Sequence, residues 1–188
     1  MTFDERRTQI TGFAARLWRT VEHDRGATVE LRRLLTPAPV PMRAYWQLDP
    51  PREIWPRELP MWLAGLAATR PRSMRRPQPD PERPGHALRR ARDRIATDGR
   101  GSAIAFERQV SELLTCHPDD LRRDLVPVIE LAQRVGVRFD YGALLLDLSQ
   151  WDNPMRRVQR RWAEDLWAPR TDKTPVTVAD DTAKETAA

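Results

Sequence analysis

Apolar residues recur near the start of the chain at the three- and four-residue spacing that places side chains on one face of a helix. Ile10, Phe13 and Leu17 share this face, whereas Arg16 and Arg19 lie on the opposite side. A helix of this kind buries its apolar face against the rest of the protein. The spacing therefore predicts an amphipathic first helix whose arginines are exposed.

A second helix is predicted directly after the segment His-Asp-Arg-Gly. Thr28 can act as its N-cap, because a threonine side chain accepts a hydrogen bond from the backbone N–H groups of the first turn. Leu31 and Leu34 form the apolar face of this helix. Arg32 and Arg33 point away from that face, so we expect both to be exposed.

Two proline-rich stretches interrupt the helical pattern. Residues 37–60 contain seven prolines, so only a short helix around residues 42–48 fits before a largely buried helix at residues 59–68. Residues 70–85 contain five prolines and almost no apolar side chains, so they cannot contribute to a packed core. We predict a domain boundary in this second stretch.

Helical patterns return beyond the second proline-rich stretch, and no segment shows the period-two alternation of a strand. Asn153 followed by Pro154 is a typical helix start and predicts the beginning of the last helix. The helices predicted in this half lie at residues 86–96, 102–115, 121–136 and 154–167, and a further helix capped by Asp140 carries Leu144, Leu145, Leu146 and Leu148.

The predicted architecture is all-α, with two small helical bundles joined by a Pro/Arg-rich linker. The N-terminal bundle covers residues 1–70, the flexible linker residues 71–84, and the C-terminal bundle residues 85–169. Residues 170–188 lack apolar periodicity and are predicted to form a disordered tail. A length of 188 residues with 40% hydrophobic content is sufficient for a buried core.

Arginine dominates the charged residues. The chain contains 30 Arg and 2 Lys, and its formal net charge is +5. A GC-rich genome can produce this ratio, but it does not determine which helix faces carry the arginines. Residues 85–169 contain 14 Arg and 13 acidic residues, so a basic surface there requires the charges to be segregated.

The last predicted helix separates its arginines from its apolar residues. The apolar stripe consists of Met155, Val158, Trp162 and Leu166, and the other side carries Arg156, Arg157, Arg160 and Arg161. Crowded guanidinium groups repel one another, and a polyanion would relieve this repulsion through bidentate contacts to phosphates. The alternative is a solvated face whose arginines pair with acids from a neighbouring helix.

Patterns for catalysis and metal binding are weak. The sequence has no glycine-rich phosphate loop, nucleophile elbow or clustered metal ligands, so we expect no enzyme activity, metal or cofactor. The strongest enzyme candidate is Arg16 with His23, a pair that resembles the Arg-x(4–6)-His element of HEPN ribonucleases. Leu17 follows Arg16 where that element has a polar residue, so the match is incomplete.

The expected compartment is the cytoplasm. Cys116 is the single cysteine, which excludes an internal disulfide and favours a reducing environment. The N-terminal residues lack an apolar signal segment, and no stretch has the length and apolarity of a membrane span.

Short segments in a fixed order resemble a known family. They are Phe-Ala-Ala-Arg-Leu-Trp at residues 13–18, Leu-Arg-Arg-Leu at 31–34, Gly-His-Ala-Leu at 85–88, Phe-Glu-Arg at 106–108, the run at 144–151, and Arg-Trp-Ala-Glu-Asp-Leu-Trp at 161–167. Each segment is common in helical proteins, but the ordered set is more specific. Together they resemble the CasB family, the small subunit of the type I-E CRISPR Cascade complex.

The resemblance implies a non-catalytic subunit, present in two copies, that contacts the repeated backbone subunits and the large subunit of Cascade. It also implies binding to the crRNA-paired target DNA and the displaced strand, so that arginine–phosphate contacts stabilise the R-loop while base pairing reads the sequence. A purely structural adaptor is the alternative. The arginines expected to bind phosphate avoid the apolar stripes or lie in the matching segments. They are Arg32, Arg33, Arg108, Arg122, Arg123, Arg156 and Arg157.

Overall fold

The computed structural model describes residues 2–35, 42–51, 54, 58–69, 83–98 and 101–168. Over these residues it contains nine α-helices, two short 3₁₀ helices and no β-strand, which confirms the all-α prediction. The α-helices are α1 (Phe3–His23), α2 (Arg25–Arg32), α3 (Met42–Leu48), α4 (Leu59–Thr69), α5 (Pro84–Asp98), α6 (Ala103–Thr115), α7 (Leu121–Arg134), α8 (Tyr141–Leu148) and α9 (Arg157–Trp167). The 3₁₀ helices are Arg33–Leu35, directly after α2, and Pro118–Asp120, directly before α7.

A capping box sets the start of α1. The backbone N–H of Glu5 donates to Oγ1 of Thr2 (3.2 Å), and the backbone N–H of Thr2 donates to Oε2 of Glu5 (2.7 Å). The bond from the Thr2 backbone lowers the pKa of the Glu5 carboxyl, because it favours the charged form. Helix α1 therefore begins about two turns before Ile10, the first apolar position of the predicted helix.

The predicted N-cap of α2 is wrong. Asp24 caps this helix, and its Oδ1 accepts a hydrogen bond from the backbone N–H of Ala27 (2.9 Å). Thr28 is buried inside the helix, where its hydroxyl donates to the carbonyl of Asp24 (2.8 Å). A carboxylate is favoured at this position because the N-terminal end of a helix carries a partial positive charge. As a result, α2 begins directly after α1 ends.

The predicted start of the last helix is also wrong. Oδ1 of Asn153 accepts from the backbone N–H of Met155 (2.9 Å), and the carbonyl of Asn153 accepts from the N–H of Arg156 (2.8 Å). These bonds close a turn, which is the other common use of an asparagine side chain before a proline. Arg156 has a left-handed backbone with a φ of 51°, and α9 begins at Arg157.

The predicted buried helix at residues 59–68 is confirmed as α4. Every one of these residues is buried, as expected for a helix that is apolar on all sides. Helices α2 and α8 pack against α4, and α1 packs against α2, α3 and α8. In the second half of the chain, α5 packs against α6, α7 and α9.

The buried residues of both halves form one continuous apolar core. Helix α8 follows α7 in the sequence, yet it packs against α1 and α4 from the first half. The division into two bundles is therefore not confirmed, and the boundaries at residues 70, 84 and 169 stay predictions. Most of the predicted linker, 71–84, and all of the predicted tail, 170–188, lie outside the described residues.

Gly85 allows α5 and α9 to approach each other closely. A Cβ atom at this position would lie 2.5 Å from Cβ of Asp165 and 3.0 Å from Cα of Trp162. We expect Gly85→Ala to lower the free energy of unfolding by about 1–3 kcal/mol, because the two helices must separate. The matched control is Gly12→Ala, whose Cβ would meet only the flexible end of Arg16 at 3.3 Å. Denaturant unfolding of the variants measures both changes, and equal stability of Gly85→Ala and the parent protein would contradict the prediction.

Candidate nucleic-acid interface

Arginines of one helix repeatedly bind the last backbone carbonyls of another. Nε of Arg16 donates to the carbonyl of Leu48 (2.9 Å) at the end of α3, and Nε of Arg32 donates to that of Ala68 (2.8 Å) near the end of α4. Carbonyls at a helix C-terminus lack intrahelical partners and carry the negative end of the helix dipole. Further contacts of this type join Arg89 and Arg92 to Leu166, Arg94 to Val135, and Arg156 to Leu114. These arginines stabilise the packing of the helices.

Four of the predicted phosphate-binding arginines lie within two residues of a hydrogen bond that joins the 3₁₀ helix after α2 to the start of α7. We call Arg32, Arg33, Arg122 and Arg123 the junction group. NH2 of Arg122 donates to the carbonyl of Leu34 (3.1 Å), which holds the two segments together. Because each contact of Arg32 and Arg122 with a carbonyl uses one nitrogen of a guanidinium with five N–H donors, other donors remain for a ligand.

Acidic neighbours partly neutralise the junction group. Arg123 lies 2.8 Å from Asp120 and 2.8 Å from Asp124, and the hydrogen bond with Asp124 raises the pKa of its guanidinium. The side chain of Arg123 is nevertheless 70% exposed. Exposed ion pairs of this kind are weak, so a phosphate can compete with the carboxylates for the guanidinium.

The outer face of α9 carries two exposed arginines. Arg157 and Arg160 are one turn apart and share this face with Glu164. Neither guanidinium group has a hydrogen-bond or ion-pair partner within the described part of the chain. The other two arginines predicted for this face are engaged elsewhere. Arg156 precedes the helix and donates to the carbonyl of Leu114, and Arg161 donates to the carboxylate of Asp147.

Arg108 lies on the exposed side of α6, about 9 Å of helix rise before Leu114. It is 75% exposed and lies 3.9 Å from Glu112, a contact between two exposed side chains. The contact of Arg156 with Leu114 joins the start of α9 to the end of α6. We call Arg108, Arg156 and Arg157 the α6–α9 group. The segment from Leu114 to the start of α7 connects it to the junction group.

The arrangement gives little support to a catalytic centre. The guanidinium of Arg16 donates to the carbonyls of Leu48 and Asp49, and His23 lies 3.8 Å from its sequence neighbour Glu22. Burial raises the pKa of the Cys116 thiol, which disfavours the nucleophilic thiolate. Within the described ranges, no group of three or more His, Cys, Asp and Glu side chains could hold a metal ion.

In the part of the chain that the structure describes, no helix is both long and apolar enough to cross a membrane. The fold and the candidate site together define an all-α, arginine-rich protein with exposed guanidinium groups on α6, α7 and α9. The sequence model of the family of CRISPR-associated protein Cse2 matches residues 14–167, and the chain belongs to this family. The predicted resemblance to the CasB family is thereby confirmed.

Solved structures share the fold. A chain from a CRISPR RNA-guided surveillance complex superposes with a TM-score of 0.63 and 23% identity, covering 86% of this chain and 92% of that chain. A second such complex, in a pre-nicking state, gives a TM-score of 0.62 and 23% identity, with 85% and 92% coverage. CasB from M. ruber gives a TM-score of 0.61 and 18% identity, also with 85% and 92% coverage. No curated protein matched in the sequence comparison.

Proposed function

We propose that this chain is the small, non-catalytic subunit of a CRISPR RNA-guided surveillance complex and binds nucleic acid through phosphate contacts. The observation that carries the proposal is the exposed pair Arg157 and Arg160, in a chain that belongs to the Cse2 family. Exposed guanidinium groups that form no ion pair among the described residues can make bidentate contacts to phosphates at little desolvation cost. The shared fold with chains from two surveillance complexes supports the assembly.

In this complex the guide RNA reads the target sequence by base pairing, and the protein stabilises the R-loop through backbone contacts. The junction group, the α6–α9 group and Arg160 provide the phosphate-binding arginines. The proposed nucleic-acid partners are the crRNA-paired target DNA and the displaced strand. The proposed protein partners are the repeated backbone subunit, the large subunit and a second copy of this chain, all within the cytoplasm.

A structural adaptor is the second candidate function. The pairing of Arg123 with Asp120 and Asp124, and the contact of Arg108 with Glu112, favour it, because these arginines already have acidic partners. In an adaptor the arginines would hold helices together and bind protein acids, and the chain would have no intrinsic affinity for nucleic acid.

Binding measured against salt separates the two candidates. We expect the full chain to bind oligonucleotides of unrelated sequence with equal affinity at equal length and strandedness. The logarithm of the affinity should fall linearly with the logarithm of salt concentration, by roughly 0.7 per phosphate contact on single strands and 0.9 on duplex. Fluorescence anisotropy across a salt series measures this slope. An adaptor gives no binding to titrate, and preference for one sequence would contradict contacts made only to the backbone.

A further inference from the structure

Helix α3 presents a tryptophan to solvent. Ala44 and Leu48 of this helix are fully buried against the core, whereas Trp46 points away from them and is 66% exposed. Tyr45 is half-buried and meets the Trp46 ring edge-on, with the ring centroids 6.3 Å apart and the planes at 89°. Most of the indole ring of Trp46 is therefore accessible to solvent on the surface of α3.

An open groove of about 670 Å³ lies between the end of α1, the start of α2 and one side of α3. Arg43 and Gln47 line it from α3, and Trp46 lies one turn from Arg43 on the same helix. Arg19 and Arg25 line it from the other helices. Trp46 itself does not line the groove, but it lies on the same short helix as two residues that do.

Two carboxylates, those of Glu22 and Asp24, line the groove together with its arginines. Asp24 accepts from the backbone N–H of Ala27, from Arg43 (2.9 Å) and from Gln47 (3.3 Å), and the bond from Ala27 is the main reason that the pKa of Asp24 is lowered. The bonds from Arg43 and Gln47 join α3 to the start of α2. Arg19 and Arg25 are exposed and have no hydrogen-bond or ion-pair partner among the described residues.

We propose that Trp46 is a stacking platform for a base of single-stranded nucleic acid, whose adjacent phosphates lie in the groove on Arg19 and Arg25. An aromatic face beside a basic groove is the combination that binds single strands without sequence preference. A duplex keeps its bases stacked inside, so it cannot use the platform. Tryptophan and arginine are also common at protein interfaces. The guanidinium groups of Arg19 and Arg25, which form no ion pair among the described residues, favour a ligand that carries phosphates.

This site is separate from the outer face of α9 and goes beyond the proposed function by adding preference for one strand type. The two surfaces contribute differently to binding. Arg157 and Arg160 would bind the phosphates of any nucleic acid, whereas Trp46 would bind only an unpaired base. A subunit with both surfaces discriminates a displaced single strand from the duplex on either side of it.

The test compares Trp46→Ala, Trp46→Phe and Ile104→Ala in the full chain, with Ile104→Ala as the control because Ile104 is an exposed apolar residue on a different helix. The probes are a 20-nucleotide oligothymidylate and a 20-base-pair duplex. We expect Trp46→Ala to weaken binding of the single strand by about 5- to 100-fold and to leave duplex binding unchanged. Trp46→Phe should retain most of the affinity, and Ile104→Ala should retain all of it. The salt slope of Trp46→Ala should equal that of the parent protein, since no phosphate contact is lost.

Unchanged single-strand affinity in Trp46→Ala, or an equal loss on both probes, would overturn the inference. If Trp46→Ala binds the oligothymidylate normally while replacement of Arg157 and Arg160 abolishes binding, the stacking site is refuted and the proposed function stands. If the parent protein binds neither probe, both fail. If Trp46→Ala binds the single strand normally and fails only to join the other subunits, the face is a protein docking site and the inference is wrong.

Discussion

Replacing Arg157 and Arg160 together is expected to weaken binding to every nucleic acid, whatever its sequence. Both side chains are exposed on α9 and have no partner among the described residues, so their removal costs little stability. The double alanine variant should lower the slope of log affinity against log salt by roughly 1.4 to 1.8, the value for two lost phosphate contacts on single- or double-stranded DNA. Double replacement by glutamate should weaken binding further, because it adds repulsion to the lost attraction.

The control variant is Arg134→Ala. Arg134 is also exposed, but it lies at the far end of α7, about 18 Å of helix rise from Arg122 of the junction group. Replacing Arg134 lowers the net charge but changes no residue of the junction group or the α6–α9 group. The slope of log affinity against log salt should therefore stay unchanged. If Arg134→Ala changes the slope as much as the α9 variants do, binding depends on net charge alone. If the α9 variants bind normally and fail only in assembly with other subunits, the adaptor is the better interpretation.

Arg156 needs a separate variant. It was predicted together with Arg157, but its guanidinium donates to the carbonyl of Leu114 and its backbone is left-handed. A change at Arg156 therefore alters the contact between the start of α9 and the end of α6 as well as the surface charge. The nucleic-acid affinity of an Arg156 variant must therefore be interpreted together with its free energy of unfolding. Variants of Arg157 and Arg160 are expected to change the affinity alone.

Helices with a clear apolar stripe could be predicted from the sequence, because helical periodicity is a local property. Ile10, Phe13 and Leu17 all point into the core from α1, as their spacing predicts. The uninterrupted apolar run at residues 59–68 is likewise the buried helix α4. In both cases the buried face depends only on the order of residues within one helix.

The contacts of the arginines could not be predicted, since their partners are distant in the chain. Arg122 binds a carbonyl 88 residues away, and Arg156 binds one 42 residues away. An arginine that binds the end of another helix lies on the polar face of its own helix, and so does an arginine that binds phosphate. The sequence pattern therefore does not distinguish the two. The periodicity of α9 therefore predicts exposed positions for Arg157 and Arg161 alike, and only the position of α8 supplies an acid for Arg161.

The contact between Arg161 and Asp147 involves the residue whose replacement should lower the free energy of unfolding most. Asp147 on α8 is only 8% exposed. Its Oδ2 accepts from Nε1 of the buried Trp162 (2.7 Å), and its Oδ1 accepts from Arg161. Helix α8 packs against α1 and α4, while α9 packs against α5, so this carboxylate joins the helices of the first half of the chain to those of the second.

Asp147→Ala should lower the free energy of unfolding by about 2–4 kcal/mol, because it leaves a buried indole N–H without an acceptor and removes the partner of Arg161. Asp147→Asn keeps an oxygen for the indole and should lose less. Replacement of the exposed Asp152, in the turn before α9, should have little effect. Denaturant unfolding gives each value.

A double-mutant cycle tests whether the indole bond causes the loss. Trp162→Phe removes the N–H, so it should cost less in the Asp147→Ala background than in the parent protein, after allowance for the smaller ring. The measured coupling is then the energy of the contact between Asp147 and Trp162. If the two changes add without coupling, the carboxylate acts through Arg161 alone, and Arg161→Ala should reproduce the whole effect of Asp147→Ala. If neither pair shows coupling, the bonds of Asp147 do not hold α8 to α9.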